Sequence, residues 1–191
     1  MEREKYHHGD LKRALVEEGI ALLEEKGLAA LSLRAIAARV GVSHTAPRNH
    51  FGSLRGLLTA IGAEGFRRHA AMMREGLPEG ATPDERLAAA LEGYVRFALA
   101  HPELYALMFS KEHVDAEDPG IGEAGEESYA VLSELAGGTG GPATREQRLR
   151  EAALWSFVHG YVGLRLRGSL DPEGAGAPRP GEVFDALKAY V

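Results

Sequence analysis

Ser32-Leu33-Arg34-Ala35-Ile36-Ala37-Ala38-Arg39-Val40-Gly41-Val42-Ser43-His44-Thr45-Ala46-Pro47-Arg48-Asn49-His50-Phe51 is the stretch on which the reading of this chain turns. Its first half repeats apolar residues at helical spacing, with Leu33, Ile36, Ala37 and Val40 on one face behind a Ser32 cap. Gly41 suits a turn that needs positive φ, and a second short helical segment follows from about Ser43 to Phe51. Ala37 is small enough for two helices to approach, and Val40 and Val42 fill the corner between them. Two short helices joined this way form a helix-turn-helix, whose second helix enters a major groove.

Charge supports that reading. Over 191 residues, 28 acidic side chains outnumber 22 basic ones. Yet no Asp or Glu occurs from Lys26 to Ala63, a window that holds Lys26, Arg34, Arg39, Arg48 and Arg55 beside His44 and His50. Residues 1–60 carry a net charge of +2 and residues 61–191 a net charge of −8. Only the N-terminal end is suited to a polyanion, and duplex DNA is the partner expected. The exposed face of the second helix should present His44, Thr45, Arg48 and Asn49. Arginine matches guanine O6/N7, asparagine matches adenine N6/N7, and threonine offers a hydroxyl and a methyl. Ser32, Arg34, Ser43, His50, Ser53 and Arg55 complete the expected DNA-binding set, with Ser32, Arg34 and Ser53 near helix starts where phosphate can be held.

The rest of the chain also reads as helix, about nine in all, with no sustained period-two alternation. The first helix should run from about Asp10 to Lys26 and stop at Gly27. A fourth should span Leu54 to Glu75. A fifth should open at Thr82-Pro83-Asp84-Glu85, a capping box with proline at the first helical position. A sixth covers Pro102–Ser110. Residues 111–126 read as an acidic loop leading to a seventh near Glu123–Ala136. An eighth spans Thr144–Gly168 and a ninth Glu182–Tyr190. Gly76–Ala81, Gly137–Pro142 and Asp171–Gly181 read as connectors. The eighth helix is apolar nearly all round from Ala152 to Leu164, so it must be covered on more than one side. Gly160 and Gly163 permit close helix approach.

Absences narrow the class. There is no cysteine, hence no disulfide, thiol catalysis or Cys-ligated zinc. No apolar run is long enough to span a bilayer, and the first residues lack a signal-peptide stretch, which together lead us to expect a cytoplasmic protein. No hydrolase elbow, phosphate-loop, zinc-protease or dinucleotide motif occurs, so neither enzyme activity nor a cofactor is expected. Glu112-His113-Val114-Asp115 is an isolated metal-like grouping among solvated acids, and no metal site is expected there.

These residues carry a resemblance. Leu31–Ser43, followed by His50-Phe51 and Leu57-Leu58, is similar to the start of the TetR/AcrR family of transcriptional regulators. Tyr6-His7-His8-Gly9-Asp10-Leu11 and Ser43–Pro47, with Trp155, His159 and Gly160, resemble a subset with a Trp-His-Gly C-terminal domain. The resemblance implies an all-α protein with a three-helix DNA-binding domain at 1–53 (motif 32–51) and an effector-binding and dimerisation domain at 54–191. It implies a homodimer on a palindromic operator, a repressor by family default, released by a small effector. Helices four to seven would enclose the effector, with Phe66, Met73, Tyr94, Phe97, Tyr105, Met108, Phe109, Trp155 and His159 as candidate lining. Their aromatic, weakly charged character suggests an apolar or aromatic effector. Helices eight and nine would form the dimer interface, with Val158, Tyr161, Val162, Phe184 and Leu187 as candidates.

Two positions depart from the family. The usual tyrosine of the recognition helix is Arg48, and the usual lysine that opens the fourth helix is Leu54, with Arg55 next. Both usual residues grip the DNA backbone. Three readings stay open: Arg48 takes a phosphate or reads a base, Arg55 stands in for the lysine, or DNA affinity is weakened. The last leads to an alternative, a TetR-like ligand-binding or interaction module with weak or lost DNA binding.

Overall fold

The computed structural model describes residues 8–75, 80–137, 143–171 and 176–188. Among them are nine α-helices, one short 3-10 turn at Leu28–Ala30 and no strand. The helices are α1 (His8–Lys26), α2 (Leu33–Val40), α3 (Ala46–Phe51), α4 (Leu54–Arg74), α5 (Pro83–Ala100), α6 (Pro102–Met108), α7 (Pro119–Leu135), α8 (Arg145–Leu166) and α9 (Pro180–Lys188). Tyr6 and His7 of the opening motif and the connectors at 76–79, 138–142 and 172–175 lie outside the described residues.

The chain packs as two compact units. The first contains the residues up to Phe66 together with Glu103–Ala124. The second contains Arg67–Pro102 and the residues from Gly125 onward. Helix α4 contributes to both.

In the first unit α1 packs on α2 and α3, and its apolar face supplies Leu15, Leu22 and Leu23 to the core. Leu31, Ile36, Ala37, Leu57 and Ile61 meet them there. The α2–α3 corner is built as expected. The Ser32 hydroxyl accepts the Ala35 N–H at 3.1 Å and caps α2. Gly41 sits in the left-handed region at φ 74°, and the Val42 N–H returns to the Ala37 carbonyl at 3.0 Å. The Ser53 hydroxyl accepts the Gly56 N–H at 3.1 Å and starts α4. Gly56 lies so close beneath Phe51 that an added Cβ would strike the Phe51 carbonyl oxygen. Helices α3 and α4 are thereby held at a fixed angle.

Residues 103–124 return to this unit. The Glu24 carboxylate on α1 accepts the Leu104 N–H at 3.1 Å, satisfying one of the free donors that open α6. Helix α7 starts earlier than expected. Asp118 accepts the N–H groups of Gly120 and Ile121 at 2.9 and 3.2 Å, and Pro119 occupies the first helical position. The glycines at 120 and 122 hide this Asp-Pro signal in a sequence reading. Residues 119–122, expected as loop, are helix.

In the second unit α5 packs against α8 and α9. Leu91, Tyr94, Val95, Phe97 and Ala98 of α5 are buried, as are Leu154, Val158, Tyr161 and Val162 of α8. The α5 capping box forms in full, with Glu85 N–H to the Thr82 hydroxyl at 3.3 Å and Thr82 N–H to the Glu85 carboxylate at 2.8 Å. Thr82→Ala removes one side of this exchange. It should lower unfolding free energy by about 1 kcal/mol, read as a lower urea midpoint at unchanged slope.

Candidate functional site

The recognition element is short. Helix α3 is six residues long, starts at Ala46 rather than at Ser43, and buries Pro47 in its first turn. Ser43 and Thr45 form the turn that precedes it, with their hydroxyls 2.9 Å apart and the Thr45 N–H on the Ser43 oxygen at 3.3 Å. His44, Thr45, Arg48 and Asn49 are all exposed. Pro47 and Phe51 point the other way, with Pro47 buried and Phe51 half-buried. The outward face therefore consists of the four residues with base-reading chemistry. His50 is half-buried and its ring leans on Phe51 at 6.2 Å.

The cations around this helix are not equivalent. Arg34 and Arg48 are exposed, and among the described residues no carboxylate lies within ion-pair distance of either. Arg39 is engaged: its Nε donates to Glu18 at 2.9 Å and its Nη1 to Glu25 at 2.7 Å. Both acids come from α1, outside the acid-free window. Glu25 also lies 3.7 Å from Lys26. The hydrogen bond and charge of Arg39 hold the Glu25 carboxyl below its usual range. Arg55 donates to the Val114 carbonyl at 2.9 Å and lies 4.0 Å from Asp115. Ser32 and Ser53 use their hydroxyls as helix caps.

The nine candidate effector residues fall into two groups. In the first unit Phe109 packs edge-on to Phe66 at 5.3 Å and against Tyr105 at 5.2 Å, beside the buried Met108. In the second unit Tyr94 donates or accepts a 2.5 Å hydrogen bond with His159 Nδ1, and Trp155 packs on the His159 ring at 5.4 Å. Met73 and Phe97 are fully buried, whereas Trp155 is 41% exposed. Two grooves of the second unit, about 520 and 440 Å³, are lined by none of the nine. One lies beside Ala88, Glu92, Arg179 and Glu182, the other beside Arg74, Pro83, Arg86 and Leu135.

Residues 87–189 match the family model described as Tetracyclin repressor-like, C-terminal domain, and residues 15–61 match Bacterial regulatory proteins, tetR family. The chain belongs to the TetR family. It is a DNA-binding transcriptional regulator with a C-terminal ligand-binding domain, not an enzyme. A Rhodococcus sp. RHA1 protein of unknown function is 34% identical, over 98% of this chain and 96% of that one, with a TM-score of 0.76. A TetR transcriptional regulator from the same organism (18% identity, 97% and 98% covered, TM-score 0.68) shares the fold. So does the TetR-family regulator PfmR from Thermus thermophilus (20% identity, 92% and 94% covered, TM-score 0.59). No curated protein matches the chain.

The α8 residues expected at a dimer interface differ from its exposed ones within the protomer. Val158, Tyr161 and Val162 are 0%, 3% and 0% exposed within the protomer, so they form its own core. The face left uncovered carries Leu149, Ala152, Ser156, Gly160 and Leu164. The apolar run from 152 to 164 made both faces of α8 look alike, and helical periodicity alone could not choose between them. Of the α9 candidates, Phe184 packs on Phe157 at 5.4 Å and Leu187 is 46% exposed.

The second unit also holds polar groups in its interior. Glu151 is buried and accepts from Ser133 at 2.6 Å, Gln147 at 3.0 Å and Tyr129 at 3.1 Å, and these donors keep its carboxyl below the usual range. His69 lies between the rings of Tyr94 (4.2 Å) and Phe97 (5.1 Å), with Nδ1 2.8 Å from the Ser128 hydroxyl. Burial, with a smaller repulsion from His159, pushes the His69 imidazole down to about 3. Burial also lowers His159. Sequence periodicity marks His69 only as a core-facing position.

The His69 shift makes stability depend on pH. The folded chain holds His69 neutral; the unfolded chain protonates it below its ordinary value of 6.5. The contribution is full above that value and is lost as pH falls toward 3, at up to about 1.4 kcal/mol per pH unit. His69→Gln should reduce the slope of unfolding free energy against pH between these limits, with His159 supplying a remainder of the same sign. Denaturant titrations of both proteins at a series of pH values measure it.

Proposed function

We propose that this TetR-family chain acts as a homodimeric, ligand-responsive repressor. It sets two α3 helices in successive major grooves of a palindromic operator, roughly 34–36 Å apart. The exposed quartet His44, Thr45, Arg48 and Asn49 carries this reading. Arg48 and Asn49 supply base recognition, while Ser32, Arg34, Ser43, His50 and Ser53 border the phosphate path. We place the protein in the cytoplasm with its DNA, and we assign it to the Trp-His-Gly subset. The adjoining rings of Trp155 and His159, followed by Gly160, support that assignment.

The pairing of two copies is assigned to α8 and α9. The open stripe Leu149, Ala152, Ser156, Gly160 and Leu164, with Leu187 of α9, offers apolar surface that a second copy would cover. The effector is read as apolar or aromatic from the two aromatic groups, and it favours a dimer spacing that the operator does not accept. Helix α4, which contributes to both units, is the covalent lever.

Fluorescence anisotropy with a duplex from upstream of its own gene tests the DNA reading. Arg48→Ala should weaken binding by about 1–3 kcal/mol and relax sequence preference. An unchanged isotherm would remove Arg48 from the role. A wild-type chain indifferent to that duplex at low salt favours the alternative module without DNA binding. Dimerisation has its own test. A Cβ at Gly160 meets nothing within 4 Å in the protomer, so Gly160→Glu should fold normally. It should sediment as a single 20.5 kDa subunit, where the parent sediments as a pair.

A further inference from the structure

One cation near the recognition helix lies outside the acid-free window. Lys12 is on α1, and its Nζ stands 5.9 Å from the centre of the Phe51 ring, the last residue of α3. It is exposed, and among the described residues no carboxylate lies within ion-pair distance of it. Arg55, the first cation of α4, is committed elsewhere. Its Nη2 donates to the Val114 carbonyl at 2.9 Å, and Asp115 is 4.0 Å away. The same loop is pinned a second time: the Asp115 N–H donates to the Thr59 hydroxyl at 2.9 Å, and that hydroxyl donates to the Arg55 carbonyl at 2.8 Å.

Resting on the DNA-binding reading, we infer that Lys12 is the phosphate contact at the C-terminal end of the recognition helix, and that Arg55 is a positioning residue for loop 109–118. The aromatic face attracts the ammonium and steers its four-carbon stem toward α3 without neutralising its charge or occupying its N–H donors. A strongly hydrated point charge on a flexible stem suits a phosphate oxygen. Turning Arg55 to the same phosphate would strip the Val114 carbonyl of its donor, whereas Lys12 gives up no ion pair to reach it.

Salt dependence separates the two residues. Anisotropy titrations of the full chain with the upstream duplex, repeated across a range of salt, give log K against log salt. Lys12→Ala should reduce the steepness by about 0.9 per recognition helix and weaken binding to all duplexes alike. Lys12→Arg should restore the wild-type slope. Arg55→Ala should keep that slope. A wild-type slope in Lys12→Ala, or a reduced one in Arg55→Ala, overturns the assignment while leaving DNA binding intact. No binding by the wild-type chain at low salt defeats the DNA reading itself and this inference with it. Matching melting curves for Lys12→Ala and the parent exclude misfolding as the cause of any loss.

Discussion

The corner at Gly41 is the constraint on which the DNA-facing part depends. A left-handed residue there lets the backbone of α2 close on itself through the Val42 N–H and leave at a steep angle. Helix α3 could not persist alone, since six residues fall well short of the length at which an isolated helix is stable in water. It exists because α2 fixes its entry, Pro47 and Phe51 anchor its inner side, and Gly56 lets α4 begin against its end. The outward quartet is thus displayed by a frame in which nearly every contact is made on the other side.

Much of this was legible in the chain, because caps and turns depend on nearest neighbours. Ser32, Gly41, Thr82 and Ser53 each act within three or four residues, and each does what its type suggests. What the sequence concealed was long-range. The acid-free window implied five available cations, but Glu18 and Glu25 reach Arg39 from another helix. Arg55 spends one of its donors on a carbonyl some sixty positions away, a contact no local pattern announces. The inner and outer faces of α8 could not be told apart where both are apolar. At α7, a local signal was present but masked by two glycines.

The second unit shows a different economy. Its centre holds an imidazole wedged between rings, and a carboxylate ringed by hydroxyl and amide donors lies close under its surface. Neither needs a neighbouring ion: the histidine stays neutral, and the glutamate distributes its charge over three donors. Such groups fix a unique packing, because a shift of one helix relative to another would strand them.

The discontinuous make-up of the first unit bears on how such regulators could be recombined. The cover over Gly62 and Gly65 comes from Ile121, Val114, Met108 and Leu104, side chains contributed from well downstream in the chain. A head cut within α4 after Phe66, where the first unit's leading segment ends, and grafted to a foreign body would leave that cover behind. Leu104 would also lose the Glu24 carboxylate that receives its N–H. Exchange of operator preference between relatives therefore calls for a paired transplant, in which the segment 103–124 travels with the amino-terminal helices as one inheritable piece.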